Sequence, residues 1–425
     1  MGVIFVGVLL VYICIAALYK PHVGLIGYFG WVILKPEYLW AWALPKDLGL
    51  QKYIAIVTLF GWVIKGFPGN SLRRSSLFGC IGLLIYLVLS WVSSFQSRDP
   101  IQTAFFMSVI WKIVLMTILA ARLLDTNEKV IALMWVTVLA QGFNAYEINR
   151  QYLRDGYSWA LLNGWSFNDS NTYSIATVPI MAFSASLAIF SRYTWQRVLE
   201  TTIFIFQLHQ IFLLESRGCM LGLVVLGAIL WRKMPKTPQK WAITVVVLGL
   251  VSILAGPPVV KEFSSIFVGA DQRDASAESR FLVWKAGWDI TKDYPLLGLG
   301  PWGVETTVPY YYPGGLKQER KALHNLPLDL TAGSGVPAAI GYLAFYLLPW
   351  FSLRRYWRQN QVQFSDKTRL GCVAVFAALP GYWISSFFSS GLLLESGYLF
   401  AAVTIAMLSI AHRDFNVKFP TKSNE

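Results

Sequence analysis

Charged residues are scarce in this 425-residue chain: they make up 14% of it, whereas hydrophobic residues make up 55%. A soluble globular protein carries nearer a quarter charged residues, so the composition excludes a soluble enzyme. Apolar runs of about 17 to 22 residues recur from end to end, and each could cross a bilayer as a helix. The sequence therefore predicts an all-α fold, a polytopic bundle of transmembrane helices.

Cysteine is also scarce. The four cysteines all lie in apolar segments: Cys14, Cys80, Cys219 and Cys372. Cysteines in these positions indicate neither the disulfide framework of an extracellular domain nor a zinc site.

The hydrophobic pattern predicts about 12 or 13 spans. They lie near 3–19, 22–42, 50–66, 77–95, 103–121, 129–147, 173–191, 198–214, 217–231, 241–257, 334–352, 370–390 and 393–411. The count is ambiguous because Pro21 and Pro36 interrupt the first 42 residues, which form either two short spans or one broken span. The first run lacks a basic start and a small-residue cleavage site, so we expect a retained span rather than a signal peptide.

The chain is basic, with a formal net charge of +13. Lysine and arginine collect in the connectors 65–76, 192–197, 232–240 and 353–369, which all fall on one side of the membrane under these spans. That side is expected to be the cytoplasm. The charge is thus explained by the membrane, and no nucleic-acid partner is predicted.

Three regions follow from this topology. The first is an N-terminal transmembrane bundle over 1–257, with a short outer loop at 148–172. The second is a large periplasmic loop over 258–333. The third comprises the C-terminal transmembrane helices and a cytoplasmic tail over 334–425.

Polar residues within the spans concentrate in their outer halves. They are Gln141, Asn144, Glu147, Gln207, His209, Gln210, Ser385, Ser386, Ser389, Ser390, Glu395 and Ser396. Polar groups in lipid are unfavourable unless they face a cavity or each other. The simplest interpretation is a cavity that opens to the outside.

The large outer loop contains a predicted helix near 277–293, with Ser276 as its N-cap and "DYP" as its stop. Phe281, Trp284, Gly287 and Trp288 share one face, which we expect to lie on the membrane or on the bundle. The following "PLLGLGPWG" (295–303) predicts a tight bend. It is not a phosphate-binding loop of the GxxxxGK type, because no Lys-Ser/Thr pair follows.

Arg217 and His324 are the first candidate site residues. Arg217 lies at the outer end of a short hairpin, where the positive-inside bias disfavours arginine; the alternative is a snorkelling side chain or an ion pair with Glu215. His324 is the one histidine in a polar loop beside a membrane boundary; the alternative is a solvated side chain. Asp169 and Asn171 in "FNDSNTYS" could simply cap the next span.

The combination of two outward arginines, Arg217 and Arg280, with His324 indicates chemistry on a lipid-linked pyrophosphate. Arginine binds phosphate oxygens through bidentate hydrogen bonds from a permanently charged guanidinium group. A neutral imidazole is suited to taking a proton from a hydroxyl. Pyrophosphate is a good leaving group whose developing charge the arginines can hold. The outer loops lack an Asp-x-Asp motif, and Asp271 and Asp274 in "DQRD" are a weak alternative, so no metal is predicted.

Three segments resemble the O-antigen ligase and polymerase superfamily of bacterial inner-membrane glycosyltransferases. They are "SRG" at 216–218, "ESRFLVWKAGWDITKDYPLLGLGPWG" at 278–303 and "HN" at 324–325. "FNDSNTYS" at 167–174 is similar to the family's entry to a span after the shorter outer loop. The opening "KPHVGLIGYFGWVILKPEYLWAW" most resembles the branch of O-glycosylation ligases found beside exosortase systems.

The resemblance implies a GT-C-like fold in the inner membrane, with its active site facing the periplasm. It implies an undecaprenyl-pyrophosphate-linked glycan as donor and a hydroxyl of a lipid, glycan or protein as acceptor, with inversion and without metal or other cofactor. His324 would be the general base, and Arg217 and Arg280 would bind the pyrophosphate. The implied supporting residues are Asn325, Glu215, Asp169 and Asn171.

The sequence departs from the family pattern after the histidine. Family members often carry a glutamate before the G-x-x-G that opens the next span. Here "TAGSGVPAA" (331–339) has no acid, and Ala338 stands in place of the last glycine. Asp329 is the alternative partner for the imidazole.

Three other functions compete with a ligase. A polymerase of the same fold would use another lipid-linked glycan as acceptor. A polysaccharide or solute transporter would have inverted repeats and polar residues in both halves of the membrane. The sequence shows no clear repeat, and its polar residues cluster in the outer half. A non-catalytic scaffold is disfavoured by Arg217.

Overall fold

The computed structural model describes residues 2–44, 49–234, 241, 244–245, 249, 275–360 and 363–418. All regular structure within these residues is helical, with no strand. The helices before residue 234 are α1 (Gly2–Tyr19), α2 (Pro21–Leu34), α3 (Pro36–Leu39), α4 (Gln51–Ile64), α5 (Arg74–Ser94), α6 (Pro100–Leu123), α7 (Asn127–Asp155), α8 (Trp159–Asn163), α9 (Ser170–Phe190), α10 (Thr194–Leu213) and α11 (Arg217–Lys233). The later ones are α12 (Ala275–Asp293), α13 (Val308–Tyr311), α14 (Leu326–Ser334), α15 (Val336–Asn360), α16 (Asp366–Ser386) and α17 (Glu395–Lys418).

Six of the described helices are long and apolar enough to cross a membrane: α1, α5, α6, α9, α15 and α17. They confirm the predicted all-α, multi-spanning bundle. The remaining long helices pack between them but are shorter or more polar, so the count of 12 or 13 spans stays a prediction. The span predicted at 241–257 lies almost wholly outside the described residues.

The ambiguous span predicted at 22–42 is broken into α2 and α3. The break is at Lys35, whose backbone is left-handed with φ 51°. Pro36 follows it, and a residue before proline is disfavoured in the helical conformation. The chain therefore turns at this point, and the predicted span becomes the 14-residue α2 and the four-residue α3.

The two ends of the bundle differ in charge. One end, here called the basic end, carries Arg232 and Lys233 in the last turn of α11 and Arg358 in the last turn of α15, beside the ion pairs of Lys129 with Asp125 (2.6 Å) and Lys367 with Glu128 (2.7 Å). The opposite end, here called the site end, holds the start of α9 and the end of α16. This separation agrees with the orientation predicted from the positive connectors.

Two of the polar residues predicted to line an outward cavity are packed instead into hydrogen bonds between helices. The Gln141 amide on α7 donates to Tyr173 (3.1 Å) and Thr177 (2.9 Å) on α9 and to Gln210 (3.3 Å) on α10. Gln141 and Gln210 are both buried. For these two residues the prediction of an open cavity is therefore wrong, because their amides find partners across helix interfaces.

Residues 275–335 form a small body on the site end. Its first helix, α12, agrees with the helix predicted at 277–293. The buried face of α12 holds Val283, Ala286 and Ile290, which form a core with Leu299 and Leu323.

The residues of the predicted aromatic face of α12 differ in exposure. Phe281 and Trp288 are 54% and 57% exposed, whereas Trp284 is half-buried and Gly287 is buried. Two large exposed aromatic rings beside a bundle of spanning helices suit the membrane interface.

The glycine-rich segment 295–303 forms the predicted bend and ties this body to the bundle. Gly298 has φ 65°, and a Cβ there would lie 2.5 Å from the Ala332 carbonyl oxygen, so only glycine fits. Gln96, just after α5, donates to the Gly298 carbonyl oxygen (2.6 Å), and Ser93 accepts from the Gly300 amide (3.1 Å). These bonds fix the loop against α5.

Candidate active site

Arg217 is the first residue of α11, after a three-residue turn from α10. Glu215 in this turn is exposed and has a left-handed backbone with φ 52°, and Ser216 is the N-cap. A Cβ on Gly218 would lie 2.5 Å from that of Phe388, so α11 begins in close contact with the segment after α16. The tight turn places Arg217 at the site end.

Asp169 is the N-cap of α9. Its carboxylate accepts hydrogen bonds from the Thr172 amide (2.8 Å) and hydroxyl (2.5 Å) and from the Asn171 amide (3.3 Å). The chain before it turns sharply at Gly164, where a Cβ would lie 2.0 Å from the Asp169 amide nitrogen. The capping interpretation is therefore correct for Asp169, and the cap also holds its negative charge at the site end.

Arg280 lies on α12, one turn before Trp284. The Trp284 indole donates to the Leu323 carbonyl oxygen at 3.1 Å, and its ring lies 6.1 Å from that of Phe388. Arg280 is thus carried by a helix that is fixed both to the residue before His324 and to the segment beside α11.

His324 is held on both sides along the chain. Leu323 before it is fully buried in the small core. Asn325 after it caps α14 by accepting from the Leu328 amide (3.1 Å), and it donates to the Phe387 carbonyl oxygen (3.0 Å). His324 itself adopts φ 49°, an uncommon left-handed conformation for a residue other than glycine. The contacts on both sides therefore fix the backbone that carries the imidazole.

Arg280 and His324 share the wall of one small cavity of about 140 Å³. The residues that line it are Ser279, Arg280, Val283, Lys321, Ala322, Leu323 and His324. It is mainly polar and lies between α12 and the chain that leads into α14.

The pKa of His324 also depends on Asp169, at the start of α9. Burial lowers the pKa of His324; the charge of Asp169 raises it, and those of Arg280 and Lys321 lower it. The result is a pKa below the ordinary value of imidazole. His324 is therefore neutral near neutral pH and can accept a proton.

The pKa of Arg280 also responds to Asp169, and in addition to Arg217. Burial lowers the pKa of Arg280, the positive charge of Arg217 lowers it further, and Asp169 raises it. Arg217 therefore lies close enough to Arg280 for their charges to interact, and neighbouring guanidinium groups are an arrangement that can bind an anion. The structure thus brings together Arg217, Arg280, His324 and Asp169, which are far apart in the sequence.

Asp329 is the alternative to the missing family glutamate. It is buried in α14, a helix too short to span the membrane, and its Oδ2 has no hydrogen-bond partner among the described residues. Burial raises the pKa of Asp329 to about 8. A role of Asp329 beside the imidazole stays a prediction.

Sequence reasoning missed two neighbours of this site. Lys321 was one basic residue among several in a polar loop, and no pattern distinguished it. Lys35 was assigned to a span, yet its ammonium lies 3.2 Å from the centroid of Phe167, two residues before Asp169. Pro36, which the sequence analysis identified as an interruption of that span, places Lys35 at the break.

A metal centre was not predicted, and the described residues contain no group of three or more His, Cys, Asp or Glu side chains that could hold a metal ion. Asp271 and Asp274, the weak alternative, lie outside the described residues.

Residues 202–343 match the model of the family described as O-antigen ligase. The match includes Arg217, Arg280, His324 and Asn325, whereas Asp169 precedes it. No curated protein matches the chain. The family match supports the O-antigen ligase superfamily and, with the apolar helices, a glycosyl-transferring enzyme of the membrane.

Proposed function

We propose that this protein is an inner-membrane glycan ligase that transfers a glycan from an undecaprenyl-pyrophosphate carrier to an acceptor hydroxyl on the periplasmic side. The observation that carries the proposal is the cavity that Arg280 and His324 share, with Arg217 close enough to Arg280 for their charges to interact. The periplasmic assignment rests on the basic end of the bundle, which lies opposite.

The arginines would hold the pyrophosphate of the donor. Arg217 stands at the start of α11, where the helix dipole also favours an anion. Arg280 approaches from α12. Two guanidinium groups match the two negative charges that a pyrophosphate diester carries, and they can orient it through forked contacts.

His324 would act on the acceptor. As the acceptor oxygen forms a bond to the anomeric carbon, its proton passes to the neutral imidazole. The bond from the anomeric carbon to the phosphate oxygen breaks, and its electron pair leaves with the lipid pyrophosphate. One displacement of this kind inverts the anomeric centre and requires no metal or other cofactor. Asp169 would stabilise the imidazolium through its charge.

The acceptor is a hydroxyl on a lipid, a glycan or a protein. The opening segment 20–42 resembles the branch found beside exosortase systems. In a polymerase of the same fold, the acceptor would be a second lipid-linked glycan.

A deletion strain tests this function. We expect the strain to accumulate a lipid-pyrophosphate-linked glycan and an acceptor that lacks it. Wild-type protein should reverse both effects, and so should His22→Ala, which removes a histidine near Asp125 and Lys129 at the basic end. His324→Ala should reverse neither. An unchanged pool of lipid-linked glycan in the deletion strain would contradict the proposal.

A further inference from the structure

Lys321 differs from the other basic residues of the small body on the site end in its position. Its amide donates to the Glu305 carbonyl oxygen at 2.9 Å, so the backbone is fixed. The neighbouring Arg320 turns away and pairs with Glu305 (2.7 Å) and Asp99 (3.8 Å). Lys321 instead lines the cavity that it shares with Arg280 and His324.

The charge of Lys321 meets another positive charge in this cavity, that of Arg280. No carboxylate in the described part of the chain lies within ion-pair distance of it, although it is only partly exposed. Its charge reaches His324 across the cavity. A partly buried cation that faces other cations is unfavourable unless an anion joins them.

The reaction itself creates one more negative charge than the two arginines match. A pyrophosphate diester carries two negative charges, whereas the pyrophosphate monoester that leaves carries up to three. The additional charge develops on the phosphate oxygen as its bond to the anomeric carbon breaks.

We propose that Lys321 is a third cation of the donor site, which binds the leaving pyrophosphate and stabilises the charge that appears on bond cleavage. This inference rests on the proposed function. A lysine suits the task because its ammonium is a compact charge on a flexible stem and can follow a moving oxygen. The arginines would fix the orientation of the diester, and Lys321 would act when that charge develops.

The role predicts a particular kinetic result. An interaction that strengthens only in the transition state raises kcat and leaves KM nearly unchanged. Lys321→Met keeps the length of the side chain and removes its charge. We expect kcat to fall about 10- to 100-fold with little change in KM, and Lys321→Arg to retain most of the rate.

The control is Lys317→Met, an exposed lysine four residues earlier in the same loop. Rates should be measured on the alkaline plateau of the pH profile, because removal of Lys321 also changes the pKa of His324. The preparation should be in nanodiscs of zwitterionic lipid, which excludes a contact with anionic headgroups. A loss that occurs only when anionic lipid is present would overturn the inference.

Binding of the product gives a second measurement. Wild-type protein should bind undecaprenyl pyrophosphate more tightly than undecaprenyl monophosphate, and Lys321→Met should lose most of that preference. If wild type neither transfers nor binds the pyrophosphate, the proposed function fails. If wild type does both, and Lys321→Met has the same kcat and the same preference for pyrophosphate as wild type or Lys317→Met, only the inference about Lys321 is overturned.

Discussion

The indole nitrogen of Trp284 donates a hydrogen bond to the carbonyl oxygen of Leu323 at a distance of 3.1 Å. This bond joins α12, which carries Arg280, to the residue that precedes His324. The proposed anion ligand and the proposed base therefore belong to one fixed unit. Their separation depends on a contact that lies outside the cavity itself.

Trp284→Phe tests this positioning role, because phenylalanine keeps an aromatic ring and loses the N–H group. A hydrogen bond of this kind contributes about 1 kcal/mol, so we expect transfer to fall about fivefold. Trp288→Phe is the control, since Trp288 lies one turn further along α12 and is 57% exposed. Equal transfer rates for the two variants would show that the bond does not position the site.

The pH dependence of transfer should follow His324. The base acts as a neutral imidazole, so activity is lost as the pH falls through its pKa, which lies below the ordinary value of about 6.5. Asp169 raises this pKa, so Asp169→Asn should move the acid limb of the profile to lower pH. Asparagine still caps a helix, so the fold should be preserved.

Lys321→Met should move the same limb in the opposite direction. Lys321 lowers the pKa of His324, and its removal raises that pKa, so the loss of activity should begin at higher pH. Profiles of transfer rate against pH for both variants provide the measurement. Shifts of the same sign, or none, would mean that His324 does not govern the acid limb.

Arg217→Lys should be nearly as damaging as Arg217→Ala. Lysine keeps the charge but cannot make the forked contact to a phosphate group. We expect both variants to lose about 100-fold or more in transfer. Arg150→Lys is the matched control, because Arg150 is a surface arginine paired with Glu147. Substantial activity in Arg217→Lys would reduce the role of Arg217 to that of a point charge.

Transfer should proceed in an excess of EDTA. The positive charge that a metal would supply to the leaving group is already present on Arg217 and Arg280, and a cation added beside them would be repelled. Purified protein with a lipid-pyrophosphate donor should be assayed in EDTA and in EDTA saturated with magnesium. Loss of activity in EDTA alone, with recovery on addition of magnesium or manganese, would show that acidic residues bind a metal.

The sequence was sufficient to predict the helices, and it indicated candidate site residues at their ends. Long apolar runs can satisfy their backbone only as helices in a bilayer, so most predicted spans agree with the observed helices closely. Arg217 was detected because an outward arginine opposes the usual charge bias. His324 was detected because the other histidines lie inside or beside apolar runs.

Contacts between distant segments could not be predicted in the same way. Gln141 was expected to face a cavity and instead donates to Tyr173 and Thr177, because periodicity shows that a polar group needs a partner but not which one. Lys321 carried no pattern at all, since its importance comes from the fold of the loop around the cavity. The left-handed backbone at Lys35 and His324 likewise depends on tertiary packing.

The most direct measurement is transfer by purified His324→Ala protein from a synthetic undecaprenyl-pyrophosphate-linked glycan to its acceptor. Wild-type protein should transfer the glycan and release undecaprenyl pyrophosphate. His324→Ala should be at least about 100-fold slower, as expected for loss of a general base, while it still inserts in the membrane and binds the donor. Wild-type rates in the His324→Ala protein would contradict the central claim.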